Sequence, residues 1–475
     1  MLNSVTLNPC TTISDHHFRP ATPTTLTSYS VPWPELSLLD FLRHGADAPR
    51  LLWDTPQSPL QFAGFGLAAR LTATDHRRFA TIQRQADDLF ARITLLNPEI
   101  PDSVGPRLFG GFSFKVESPP AGLWSAFAPA VFVLPQVQLT HVEGQAWLTL
   151  NRHFEPDTSP ADMRRALQRE IDHLRRTLTP VDNRATQPQA YPPPAVTEVM
   201  SHDTWRKLVT EATRRIRRGE LDKVVLARAR HMRFARPIDP TAVLARLAER
   251  YPDTYRFLFE PIPGHAFYGA TPELLAHVEG DTLRTVAMAG SIRRGETPAA
   301  DIELGRQLLA NPKERHEHQL VVDAIRENLG SLVENLDIPQ TPAICTLSNI
   351  QHLETRIQGN ITTHDGILQV TEALHPTPAV GGRPRKIALE IINQVEPTPR
   401  GWYAAPIGWL DHRGNGMFAV AIRSAVSVGG ESMLFAGAGL VADSEPEKEW
   451  RETELKFRPL AEALRGEPHH GRAKS

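Results

Sequence analysis

The chain has 475 residues, with 52 Lys and Arg against 54 Asp and Glu and a formal charge of −2. That balance excludes a protein built to coat nucleic-acid phosphates or anionic membrane surfaces. Hydrophobic residues at 41% and charged residues at 22% supply a sizeable core and exclude wholesale disorder. At about 150 residues per domain, the length corresponds to roughly three domains or one large domain with additions. The 2 cysteines, Cys10 and Cys345, make no disulfide framework and no cysteine zinc site, which fits a reducing compartment. The start MLNSVTLNPC lacks the basic and apolar regions of a signal peptide, and no run approaches ~20 apolar residues. A cytoplasmic protein is expected, with no membrane and no nucleic-acid partner.

Residues 1–30, rich in Ser, Thr and Pro, read as a loose leader. Between 108 and 149, LFGGFSF, PAVFVLPQVQLTHV and AWLTLNRH read as strands separated by turns. Met163, Leu167, Ile171 and Leu174 recur at helical spacing, so 160–179 is an amphipathic helix. The Pro-rich stretch 184–196 is either a linker between domains or a long surface loop. Helix is expected at 202–218, 301–309, 312–336, 383–394 and 445–465. Strand is expected at 223–230, 257–261, 267–270, 417–428 and 432–441. Strands interrupted by loops as well as helices favour α+β over a regular doubly wound sheet.

Two helix starts carry paired carboxylates. Asn311 and Pro312 open one helix, on which Glu314 and Glu317 stand three residues apart and share a face. The segment from Ser444 to Glu447 has capping-box form and opens the other, which carries Glu449 and Glu452. Four converging carboxylates repel without a cation, and all-oxygen ligands favour a hard ion such as Mg2+. The competing accounts are a Glu314 that completes a cap and a Glu452–Lys456 surface ion pair. His316 and His318 alternate around the helix and read as structural.

Lys223 opens the apolar run KVVLA. Buried, such an amine is a candidate base; at a strand end it reaches solvent instead. Glu273, after Thr271-Pro272, either belongs to a tight turn or is a carboxyl in a closed pocket, able to hold its proton as a general acid. Arg423, in the apolar run FAVAIRSA, demands an anionic partner, and its planar fork suits a carboxylate. Gly437 and Gly439 either let backbone amides approach a ligand or mark a bulge. Gly290 and Ser291 offer a second amide-and-hydroxyl cradle. RRIRRGE at 214–220 is a solvated helix face, and GGRPR at 381–385 a turn leading into a helix.

Taken together, DKVVLARA, YGATPELL, MAGSIRR, KERHEHQLVVDAI, SNIQHLETRI, LHPTPAVGG, GWYAAPIGW, FAVAIRSA and AGAGLVADSEPEKEWRETELK occur in the order found in the chorismate-utilising enzymes. The resemblance spans roughly residues 200–465, and LFGGFSF with the strands after it resembles the N-terminal half of menaquinone-type isochorismate synthases. It implies one large α+β domain with two stacked antiparallel sheets and peripheral helices. The chain then divides into a leader (1–30), an N-terminal part of the fold (31–183), a Pro-rich loop (184–196), a catalytic region (197–466) and a tail (467–475).

Carried over residue by residue, the resemblance makes Lys223 the general base and Glu273 the general acid. Glu317 and Glu449 become the main Mg2+ ligands, with Glu314 and Glu452 acting through water. Arg423 and Tyr403 match residues that hold the enolpyruvyl carboxylate of chorismate. Gly437, Gly439, Lys456, Gly290 and Ser291 match further carboxylate contacts, and His352 matches a pocket histidine. Amine-adding relatives lack the base lysine, and the aminodeoxychorismate branch has a lysine where this chain has Ala289. Lys223 with Ala289 therefore fits water as the nucleophile. The resemblance thus implies an isochorismate synthase, a monomer, feeding menaquinone or a siderophore. Salicylate synthase is the runner-up, followed by a glutaminase-dependent amine-adding subunit and a non-catalytic chorismate or Mg2+ binder.

Overall fold

The computed structural model describes residues 24–55, 60–116, 120–179, 192–347, 350–362 and 366–466. Most of the expected leader, the Pro-rich stretch up to residue 191 and the expected tail lie outside the described residues. Where the sequence carries helix grammar, helices form. Ser159 accepts a hydrogen bond from the Asp162 N–H and Pro160 begins a helix to Thr177, which buries Met163, Leu167 and Ile171. Asn311 accepts from the Lys313 and Glu314 N–H groups and opens the helix Pro312–Leu329.

The strands form two sheets, one of 13 strands and one of 10 among the described residues. Pairing is antiparallel throughout except for Thr25–Trp33 with Thr94–Leu95. The core lies between the sheets, where Trp53, Phe62 and Phe259 of the larger meet Phe109 and Trp409 of the smaller. The larger sheet's other face is covered by helices, among them Leu38–Arg43, Pro160–Thr177 and Pro240–Arg250, over a second apolar cluster. This is the expected α+β domain with two stacked sheets and outer helices. No helix among the described residues is long and apolar enough to cross a membrane.

Four expectations are corrected. The leader ends earlier than residue 30, because Thr25–Trp33 is a full strand paired along its length with Gln145–Phe154. The Pro-rich stretch likewise ends earlier, since Ala195–Glu198 pairs with the strand Lys223–Arg233. The helix expected to reach residue 336 stops at Leu329, and Val333–Asp337 forms a strand against Ile350–Ile361.

The fourth correction positions the site. The single strand expected over 417–428 is two strands in different sheets. Gly416–Val420 belongs to the smaller sheet and Ser424–Val428 to the larger. Arg423 thus lies in the crossing between sheets, with a left-handed φ of 52°. A second crossing runs beside it, where His265–Thr271 leaves the larger sheet and Leu274–Glu279 joins the smaller, with Glu273 between them. The two crossings are laced together. Val420 N–H donates to Glu273 O at 3.0 Å, and Thr271 Oγ1 donates to Val420 O at 2.7 Å.

Candidate active site

Backbone that changes sheets leaves a gap between them, and here the gap is a cavity of about 150 Å³. Every residue given a site role by the resemblance lines it: Lys223, Glu273, Gly290, Ser291, Glu314, Glu317, His352, Tyr403, Arg423, Gly437, Gly439, Glu449, Glu452 and Lys456. They come from nine separate segments of the chain, so no local pattern could have assembled them.

Lys223 is the first residue of the strand Lys223–Arg233, yet its side chain is 1% exposed and does not reach solvent. Its Nζ donates to Glu317 Oε1 at 2.7 Å. Two glycines make room for it. A Cβ on Gly439 would stand 2.9 Å from Lys223 Cε and 3.0 Å from Glu317 Oε1. At Gly382, where φ is 146°, a Cβ would meet Lys223 O at 2.3 Å. Gly437 and Gly439 keep regular register with Ala227 and Val225, so they mark close approach and no bulge.

Glu273 is 7% exposed, and its backbone N–H donates to Thr271 Oγ1 at 3.3 Å. The turn account and the pocket account therefore both hold. Burial pushes its carboxyl up to about 7, with Lys223 and Lys456 pulling the other way.

The two carboxylate-bearing helices converge on the cavity. Glu314 accepts from the Ser291 N–H at 3.0 Å, which a bulge at Gly290 turns inward, the register slipping between Ala289 and Ser291. Gly290 O in turn accepts from His352 Nδ1 at 3.2 Å. Burial, with the Arg423 and Lys456 charges, lowers His352 to about 4 and keeps it neutral. Lys456 Nζ donates to Glu452 Oε1 at 2.5 Å and to Gly437 O at 2.8 Å. The expected ion pair thus exists, but inside the cavity. His318 is buried against Thr355 Oγ1 at 2.8 Å, and His316 is exposed, as structural residues.

Tyr403 stacks on Phe435 with ring centroids 5.0 Å apart, and burial pushes its hydroxyl up to about 12. Arg423 is held below its usual range by burial, and its NH1 donates to Lys456 O at 3.5 Å. Sequence reasoning missed Phe435, Lys313 and Ser444. Phe435 stands two residues before Gly437, so strand alternation was the available signal. Ser444 caps nothing on the helix, whose N-cap is Glu445; its hydroxyl accepts from the Val441 N–H at 3.1 Å and bonds the Glu449 carboxylate.

Among the described residues, no three acidic, His or Cys side chains are drawn together as a ready-made metal cluster. The donor set nevertheless fits a hard cation, because its charge is under-compensated. Glu449 is 6% exposed, and burial followed by the Glu452 charge pushes it up to about 7. Burial and Glu317 likewise raise Glu314. Glu452 alone falls, Lys456 outweighing burial. Two carboxyls disfavoured as anions beside two ion-paired ones call for added positive charge, and oxygen donors suit Mg2+.

Comparison with known proteins decides the family. The model of the chorismate binding enzymes matches residues 14–465. The chain belongs to the chorismate-binding enzyme family. It is 40% identical to the salicylate biosynthesis isochorismate synthase of Pseudomonas aeruginosa over 88% of this chain and 85% of that protein. It is 35% identical to isochorismate synthase MenF of Bacillus subtilis, over 93% of this chain and 94% of that one. The solved menaquinone-specific isochorismate synthase MenF of Escherichia coli superposes with a TM-score of 0.77 at 26% identity, covering 93% of this chain and 95% of its own. The expected family membership, fold class and enzymatic character are therefore borne out, and the non-catalytic binder is set aside.

Proposed function

We propose that this chain is a Mg2+-dependent isochorismate synthase, converting chorismate reversibly to isochorismate. The observation that carries the reading is a buried amine, Lys223, and a buried carboxyl raised to about 7, Glu273, on the wall of one cavity with four glutamates. A pure binder needs neither group.

In this reading Arg423 and Tyr403 orient the enolpyruvyl carboxylate, with Lys456 and the backbone at Gly290, Ser291, Gly437 and Gly439 completing the anion contacts. Lys223 takes a proton from water as its oxygen attacks C2 of the ring. Glu273 gives its proton to the C4 hydroxyl, which departs as water while the double bonds shift. One water enters and one leaves, so the reaction is an isomerisation, and the same groups in exchanged roles run it backwards. The pocket closes around neutral His352, which adds no charge beside the substrate. Glu317 and Glu449, with Glu314 and Glu452, would hold Mg2+, which would supply a divalent charge for the ring carboxylate as clamp and Lewis acid.

The LFGGFSF region and the likeness to the menaquinone-specific enzyme of Escherichia coli support menaquinone as the destination, and the Pseudomonas aeruginosa relative supports salicylate as a second one. The reading includes a cytoplasmic monomer acting on a small diffusible substrate. Its test is incubation of the purified chain with chorismate and Mg2+, with and without EDTA, followed by chromatography. Isochorismate that accumulates only without EDTA is the expected result. Salicylate with pyruvate would make the chain a salicylate synthase, and unconsumed chorismate would remove the reading altogether.

A further inference from the structure

The helix Pro446–Arg465 carries two stripes of side chains, offset by one residue. Glu449, Glu452 and Lys456 line the cavity. Trp450, Thr453 and Phe457, each the next residue along, face the strand that begins with Lys223, where Trp450 and Thr453 hold Arg228 and Phe457 lies against both Arg228 and Arg230. At about 100° of rotation per residue, these stripes are neighbouring faces of one helix. Whatever grips the second stripe sets the direction in which the first one points.

Arg228 grips it with its guanidinium plane and with Nε and NH2. The side chain is 1% exposed. Its Cζ lies 3.3 Å from the centre of the Trp450 ring, with the Phe457 ring at 5.4 Å. Nε and NH2 donate to Thr453 Oγ1 at 3.0 and 2.8 Å, and NH2 also donates to Glu454 Oε1 at 2.5 Å. NH1 reaches Glu198 at 3.4 Å. A desolvated cation over an aromatic face interacts more strongly than an exposed one, and a planar fork fixes direction where an ammonium does not. Arg230, two residues on, also pairs with Glu454 and Glu198 and lies over the Phe457 ring at 4.4 Å, but it makes no bond to Thr453 and does not stack on Trp450.

We propose that Arg228 is a positioning residue, which locks the rotation of the helix Pro446–Arg465 so that Glu449 and Glu452 face the metal site. The inference rests on the reading above, that these glutamates hold Mg2+. It makes the strand of the candidate base and the helix of the candidate ligands one mechanical unit.

The test is Mg2+ binding measured by isothermal titration calorimetry on the full chain without chorismate, beside the Mg2+ dependence of turnover. Arg228→Lys keeps the charge and loses the fork, and Arg228→Met keeps the bulk and loses both. Trp450→Leu removes the ring alone and serves as a second route if an Arg228 variant does not fold. Tenfold or weaker Mg2+ affinity is expected in each folded variant, with kcat largely recovered at saturating Mg2+. Arg230→Gln, which loosens the same carboxylates and the Phe457 ring but leaves the Trp450 and Thr453 contacts of Arg228 in place, is expected to bind Mg2+ within twofold of the parent. Variants that lose thermal stability but bind Mg2+ like the parent would overturn the inference, as would an equal loss in Arg230→Gln. A parent chain that itself takes up no Mg2+ would instead overturn the reading of the glutamates, and this inference with it.

Discussion

The same pair of sheets encloses two unlike interiors. In the N-terminal half, the gap is filled by aromatic rings. Phe62 meets Phe109 edge-on at 6.0 Å and Trp409 at 6.2 Å, and Trp53 meets Phe109 at 6.2 Å. In the half where the chain crosses between sheets, the gap is a cavity walled by Lys223, Glu273, Arg423 and four glutamates. Rings gain by leaving water and complete the packing themselves. Buried carboxylates lose their hydration and depend on partners. One region is therefore finished by folding, while the other is left with charge that a ligand completes.

Four measurements would break or sharpen that contrast. The largest effect belongs to the cavity: Lys223→Ala and Glu273→Gln are each expected to lower kcat by about 10²–10⁴-fold while circular dichroism stays native. Near-normal turnover by either variant would sink its assignment. Next comes the packed half. Phe109→Ala is expected to cost about 3–5 kcal/mol in urea unfolding, with kcat per folded molecule nearly unchanged. A large kcat loss there would show that the two halves are not separable.

The third concerns pH. A general acid must hold its proton, and burial raises Glu273 to about 7. The value of kcat/KM should therefore fall as pH rises past about 7, approaching tenfold per unit. A profile flat to pH 9 would argue against Glu273 as the donor.

The smallest effect is on stability. Between the usual carboxyl pKa of about 4.3 and the folded value of about 7, native Glu449 binds more protons than the unfolded chain does. The metal-free protein should thus lose stability as pH climbs through that window, and Glu449→Gln should remove part of the loss. We expect that variant to raise the thermal midpoint at pH 7.5 by about 2–4 °C while weakening Mg2+ binding. A lowered midpoint would mean that Glu449 is already compensated without metal.

Much of this was legible in the residues, and the exceptions have physical causes. The starts at 160 and 312 were legible because caps are local, Ser159 and Asn311 each accepting a backbone N–H within three residues, whereas the helix capped by Thr297 begins at Pro298, before the expected 301. The strand Thr25–Trp33 was hidden because its buried face carries hydroxyls, Ser30 pairing with Thr149 at 2.9 Å, and hydroxyls in sequence look like a leader. The helix at Pro312 was drawn too long because SLVENLDI keeps apolar residues at spacings that suit either period. The run 417–428 opens with six apolar residues and stays mostly apolar past Arg423, and an apolar run does not show a change of sheet.

The sequence by itself determined which chemical groups this protein owns, the helices that carry two pairs of glutamates, and the family to which the motifs belong. Only the tertiary structure decided that Lys223 is buried against Glu317, that Glu273 and Arg423 lie at adjacent crossings, and that Arg228 reads the neighbouring face of the ligand-bearing helix. The reason is that charge and propensity are properties of a residue and its near neighbours. Desolvation and convergence instead depend on segments hundreds of residues apart, and take a value only once both sheets have closed around the gap.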